Sequence, residues 1–75
     1  VVSAVVLLKT GPGQARKAAI AIRKIRGVRE AHVVTGPYDI ICTTEAGDMA
    51  ALADTVISRI QRIAGVTDSL TCLVV

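Results

Sequence analysis

Five consecutive residues, Thr35-Gly36-Pro37-Tyr38-Asp39, form the one polar constellation in this chain with a chemistry of its own. An aspartate can pair with an ammonium group, and backbone N–H groups freed around a glycine can face a carboxylate. Together they would hold the two charged ends of an amino acid, with the Tyr38 ring as a wall. The same residues also make a good hairpin turn, in which Tyr38 caps the core and Asp39 is a solvated strand residue. Both readings fit the residues themselves. A second polar set, Thr67-Asp68-Ser69 and Thr71, comes near the C-terminal end, where such residues ordinarily just build a strand.

Other chemistry is scarce. The single histidine, His32, falls in mid-strand, so any Ser–His–Asp or Cys–His–Asn arrangement would have to use it. A sheet histidine satisfied by a neighbour is the expectation. No His/Cys cluster has zinc or copper spacing, and no metal or cofactor is expected. Gly11-Pro12-Gly13 lacks the Lys-Ser/Thr of a phosphate loop and reads as a turn. Cys42 and Cys72 make no CxxC and no disulfide framework; they read as two buried, reduced thiols of a cytoplasmic protein. The formal charge of +3 owes much to the stretch from Arg16 to Arg29, but Tyr38 is the only aromatic residue. Without an aromatic platform, the basic stretch reads as a solvated helix face, and direct DNA binding is not expected. No apolar run is long enough to span a membrane. These exclusions point to a binding or assembly module, not an enzyme.

The elements that must position the polar residues follow from periodicity. Val1 to Leu8 is apolar at nearly every position, as in a strand covered on both faces. Thr10-Gly11-Pro12-Gly13 breaks it, with Pro12 placed to start a helix. From Gln14 to Ile25, Ala15, Ala18, Ala19, Ile22 and Ile25 recur at helical spacing, with Arg16, Lys17, Arg23 and Lys24 opposite. Gly27 closes this helix. Val28 to Thr35 is a second strand, Gly36-Pro37 a turn, and Tyr38 to Glu45 a third strand. Asp48 is a good N-cap for a second helix, which carries Met49, Leu52, Ala53, Val56, Ile60 and Ile63 on one face. Gly65 ends it, and Val66 to Val75 is the last strand.

The two halves match at one constant offset: Ile25 on Ile63, Gly27 on Gly65, Ile22 on Ile60, Val2 on Ile40. Each is a β-α-β unit. Two such units with right-handed crossovers interleave into a ferredoxin-like α+β fold of βαββαβ order. Its four-stranded antiparallel sheet has spatial order 4-1-3-2, with two helices on one face. In strand 1, Val2, Ala4, Val6 and Leu8 point one way and Val1, Val5 and Leu7 the other; Ile40 and Cys42 likewise oppose Ile41. Two helices cover one face only, so the other would expose an apolar patch that a monomer rarely tolerates. A second copy is the economical cover, giving a dimeric α/β barrel. Strand 1 separates Cys42 from Cys72 by roughly 9–10 Å, too far for an intrachain disulfide.

The runs Val33-Val34-Thr35-Gly36-Pro37-Tyr38-Asp39-Ile40-Ile41 and Ile63-Ala64-Gly65-Val66-Thr67-Asp68-Ser69-Leu70-Thr71 resemble the C-terminal effector (RAM) domain of the Lrp/AsnC, or feast/famine, transcriptional regulators. The likeness spans essentially all of residues 1–75. It implies a homodimer joined through its sheets, higher rings such as four dimers, and amino acid effectors held between dimers. Gly36, Tyr38 and Asp39, beside Thr35, would form the hairpin half of that pocket. Val66, Thr67, Ser69 and Thr71 would form the strand-4 half, with Ser69 where the family often has Thr. Full-length members carry a helix-turn-helix DNA-binding domain to which nothing here corresponds. The expectation is a stand-alone effector domain that senses an amino acid or co-assembles with full-length regulators, the alternative being an excised fragment of a longer regulator. Against it stand a ligand-free assembly partner, an ACT-type domain, and a dimeric α/β-barrel enzyme, which would need polar and aromatic barrel residues that this chain hardly has.

Overall fold

The computed structural model describes residues 1–75, Thr55 by its backbone alone. In chain order it contains β1 (Val2–Thr10), α1 (Ala15–Arg23), β2 (Val28–Val33) and β3 (Ile40–Ala46). A second helix follows, made of α2 (Met49–Ala51), a π-helical stretch (Leu52–Ile57) and α3 (Ser58–Gln61), and then β4 (Val66–Leu73). The strands pair antiparallel in the order β2-β3-β1-β4, which is the expected 4-1-3-2. The ferredoxin-like α+β fold is therefore present as read from the sequence.

Period-2 alternation decides which side chains meet the helices. Ala4, Val6 and Leu8 of β1 lie opposite Thr44, Cys42 and Ile40 of β3, and all six are buried. Ala18, Ala19 and Ile22 of α1 and Leu52, Val56 and Ile60 of the second helix close over them. Each fully buried aliphatic side chain here is worth about 1.5–3 kcal/mol of transfer free energy. Thr44 is the one buried polar residue among those described, and its hydroxyl donates to the Ala4 carbonyl at 3.1 Å. Val5, Leu7 and Ile41 face the other side, which no helix covers, and Leu70, opposite Leu7, is exposed there.

The π-helical stretch was not legible in the sequence. Leu52, Val56 and Ile60, spaced every fourth residue along the second helix, are all buried against the sheet. Met49 and Ala53 flank Leu52 and are exposed, contrary to the expectation that they share its face. Asp48 caps the helix as expected, its Oδ1 accepting the Ala51 N–H at 2.7 Å.

The glycines that match between the halves do more than end helices. Helix α1 caps at Lys24, and Gly27 sits in the turn beyond it with φ +102°; Gly65 has φ +95°. The Gly27 carbonyl accepts the Glu45 N–H at 2.8 Å, and the Gly65 carbonyl accepts the Gly11 N–H at 3.0 Å. Each crossover turn is thus tied to the opposite half of the chain.

Three local expectations are corrected. The β2–β3 connection is a longer loop over residues 34–39, so Tyr38 and Asp39 precede β3 and do not belong to it. Pro12 lies in a turn closed by the Gln14 N–H on the Gly11 carbonyl (3.1 Å), ahead of the helix and not in its first turn. Cys72 is exposed, not buried. It lies opposite Val5 on the uncovered face, whereas Cys42 lies opposite Val6 on the helix side, so β1 separates the two thiols as expected.

Candidate functional site

Antiparallel pairing sets the end of β1 beside the start of β3, and this builds the site. The Asp39 N–H donates to the Leu8 carbonyl at 2.8 Å, and the Asp39 carbonyl accepts the Val34 N–H at 2.9 Å. The Asp39 carboxylate turns back onto β1, where Oδ2 accepts the Thr10 N–H at 2.8 Å and the Thr10 hydroxyl at 3.3 Å. The Gly11-Pro12-Gly13 turn then carries the chain into α1, whose first turn brings Arg16 over the same place. The result is a cleft of about 410 Å³ lined by Thr10, the turn, Ala15, Arg16, Val33 and Asp39. Among the described residues Arg16 and Asp39 form no ion pair with each other, although they line one cleft. A cation and an anion held apart across a small cavity complement a zwitterion.

Of the hairpin residues singled out by sequence, only Asp39 lines this cleft. Thr35 and Gly36 are exposed, and a Cβ at Gly36 would meet nothing within 4 Å. Tyr38 is half-buried, with Lys9 Nζ 5.5 Å from its ring centroid, a cation–π distance. The strand-4 residues lie on the other flank of the β1 end, since Thr10 pairs with Val66 and Leu8 with Ser69. Val66, Thr67 and Ser69 share a smaller cleft of about 230 Å³ with Gln61, whose Nε2 donates to Ser69 Oγ at 3.1 Å. Thr71 is half-buried opposite Val6, outside that cleft. The two halves are neighbours across one strand end but do not merge within one chain.

Sequence reasoning missed Thr10, Arg16 and Gln61. The pairing of β1 with β3 is the signal for Thr10, since residues closing β1 must meet those opening β3; Arg16, on α1, reads by sequence as part of a solvated helix face.

The remaining polar groups do little. His32 is exposed, with Nε2 3.8 Å from Glu30 Oε2, too long for a hydrogen bond. Burial pushes the Cys42 thiol up to about 11, which keeps it protonated and unreactive at neutral pH. Among the described residues no group of His, Cys, Asp and Glu is placed to hold a metal ion. Among the described residues no helix is long and apolar enough to cross a membrane.

Comparison with known proteins bears on the fold and the family. TTHA0845 from Thermus thermophilus is 29% identical, with a TM-score of 0.90 over 100% of this chain and 94% of that one. Hypothetical protein PHS023 from Pyrococcus horikoshii is 25% identical, with a TM-score of 0.91 over 100% of this chain and 90% of that one. The transcriptional regulator NMB0573 of Neisseria meningitidis, solved as a complex with L-Met, shares the fold. It is 24% identical with a TM-score of 0.83, and this chain (99% of it matched) spans 49% of its length. No curated protein matches. The family model described as the Lrp/AsnC ligand binding domain matches residues 3–75, a family of regulatory ligand-binding domains and not of enzymes. This chain is a member of the Lrp/AsnC ligand-binding domain family.

Proposed function

We propose that this protein is an amino-acid-binding effector module that works as an oligomer. The observation that carries the reading is the cleft in which Arg16 and Asp39 stand unpaired with each other. The Asp39 carboxylate takes the ligand's ammonium group, with Thr10 holding Oδ2 in place. The Arg16 guanidinium takes the ligand's carboxylate, in place of the Gly36 backbone expected from sequence. Val33 and the Gly11–Gly13 turn meet the ligand's side chain. The polar ends that do not reach this cleft, Thr35, Gly36 and Tyr38 on one flank and Val66, Thr67, Ser69 and Thr71 on the other, complete the pocket of an adjoining chain. A homodimer forms through the uncovered sheet face of Val5, Leu7, Ile41 and Leu70, and dimers associate into a ring, for example of four. The module acts in the cytoplasm as one domain spanning 1–75. It catalyses no reaction, contacts no DNA itself, and alters transcription by co-assembling with full-length regulators. The L-Met complex of the Neisseria regulator is in keeping with the ligand class.

A thermal-shift panel of the twenty amino acids tests this. A ligand at a hundredfold excess over its dissociation constant stabilises by about 2.7 kcal/mol, or roughly 10 °C or more in a domain this small. One or a few amino acids should give such a shift. Asp39→Asn keeps an acceptor for the Thr10 N–H but loses the charge, so it should abolish the response without unfolding the protein. A flat panel for the parent protein, or an undiminished response in Asp39→Asn, would reject the reading. The flat panel would favour a ligand-free assembly partner.

A further inference from the structure

A cleft more spacious than the one at Asp39 lies at the opposite end of the sheet. It measures about 690 Å³ and runs between the start of β1, the end of β3 and the second helix. Its floor and walls are apolar or bare: Val1, Gly27, Ala46, Gly47, Ala51 and Val56. Two arginines, Arg26 from the turn after α1 and Arg59 from α3, line it as well. Among the described residues neither arginine makes an ion pair or a side-chain hydrogen bond. The one acid in the lining, Glu45, is already held by Arg29 at 2.9 Å. The cleft therefore carries two uncompensated positive charges beside an apolar wall.

This combination fits one chemical class. A guanidinium recognises a carboxylate through parallel N–H donors, and a short hydrocarbon chain gains by covering alanine and valine surface. A zwitterionic amino acid would bring an ammonium group for which the one acid in the lining, Glu45, already pairs with Arg29. The volume lies within the range of small-molecule sites. Two glycines define the space differently. Gly27 is a fixed wall, because a Cβ there would lie 2.5 Å from Val56 Cγ2. Gly47 is open, because a Cβ there would meet nothing within 4 Å.

We propose that this cleft is a second ligand site, taking a small carboxylate with an apolar chain, its carboxylate held by Arg26 and Arg59. Its position, remote from Asp39, makes it independent of the amino acid site.

Hexanoate is a suitable probe, titrated into the ¹⁵N-labelled protein while amide resonances are followed. Shifts should concentrate at Gly27, Ala46, Gly47 and Ala51 and should saturate. Hexanamide, which lacks the charge, and inorganic phosphate, which lacks the chain, should both bind at least about tenfold more weakly, as expected for loss of one charge-assisted contact or of the apolar cover. Arg59→Gln should weaken hexanoate by a similar factor. Gly47→Leu, which fills open space, should block it while leaving the resonances of the buried core in place. Asp39→Asn should bind hexanoate as the parent does, which separates this site from the amino acid cleft. Absence of saturable shifts at these amides, equal binding of hexanamide or of phosphate, or unchanged affinity in both Arg59→Gln and Gly47→Leu would overturn the proposal.

Discussion

Gly27→Ala is the substitution whose cost the structure specifies most closely, because two neighbouring controls separate its causes. Gly13, Gly27 and Gly65 all have positive φ, at 73°, 102° and 95°. An L-residue in a left-handed conformation costs roughly 1–2 kcal/mol, offset in part by about 0.4–1 kcal/mol from a less flexible unfolded chain. At Gly13 nothing lies within 4 Å of an added Cβ, so Gly13→Ala should cost about 1 kcal/mol or less. At Gly65 the Cβ meets the Cβ of Gln14 at 3.0 Å, an atom fixed to the backbone just before α1, so that backbone must shift by a few tenths of an ångström and the cost should be intermediate. At Gly27 it meets Val56 Cγ2 at 2.5 Å and the Glu45 carbonyl oxygen at 3.0 Å. Val56 is buried in the core, and Glu45 donates its N–H back to Gly27, so neither can yield cheaply. Overpacking of this kind adds about 1–3 kcal/mol, for a total near 3 kcal/mol. Urea denaturation followed by circular dichroism reads the series as midpoints at constant m. The expected order is Gly13→Ala, Gly65→Ala, Gly27→Ala, with Val56→Ala restoring part of the last loss in a double mutant. If Gly27→Ala were no worse than Gly13→Ala, the packing of the α1–β2 turn against the π-helical stretch would be wrong.

Three other properties should respond to simple perturbations. Leu70→Asp places a charge on the uncovered sheet face, twice in a symmetric dimer, and should weaken self-association by at least about a hundredfold in sedimentation equilibrium. An unchanged oligomer would place the interface elsewhere. Cys42 has its folded pKa raised to about 11 from the ordinary 9.0 by burial. Its neutral thiol is therefore favoured in the fold, and the stability this represents is complete below pH 9 and lost as the pH rises toward 11, about 2–3 kcal/mol at most. Cys42→Ala should remove that part of the alkaline loss in urea titrations across this window, and equal alkaline sensitivity in the variant would refute it. In the same preparation one thiol, Cys72, should react promptly with a disulfide reagent and Cys42 only on unfolding; two prompt thiols would contradict the burial.

Much of the architecture was legible because the signals were redundant. The alternation of Val2, Ala4, Val6 and Leu8 with Val5 and Leu7 gave the two faces of β1, and the matched glycines gave the repeat from which the strand order follows. The π-helical stretch was not legible. The four-residue spacing of Leu52, Val56 and Ile60 reads as ordinary helix. Cys72 was misplaced because β4 mixes polar and apolar residues on both faces, so its register could be fixed only by its pairing with β1. The site divided in the same way. Asp39 stands out by its neighbours in sequence, whereas Thr10 acquires meaning through the pairing of β1 with β3 and Arg16 through the turn that leads into α1. Gly36, conspicuous in sequence, lies outside the cleft.

The central claim is that one cleft holds both charged ends of an amino acid, and a map of backbone amides tests it most directly. The ¹⁵N-labelled protein is titrated with a mixture of the twenty amino acids, and separately with the matching amines and the matching deaminated acids. The account predicts saturable shifts at Thr10, Gly11, Gly13 and Asp39 with the amino acids, and much weaker ones with either set of truncated compounds, since each leaves Arg16 or Asp39 without its partner. Shifts confined to other parts of the molecule, or equal shifts with the deaminated acids, would contradict it.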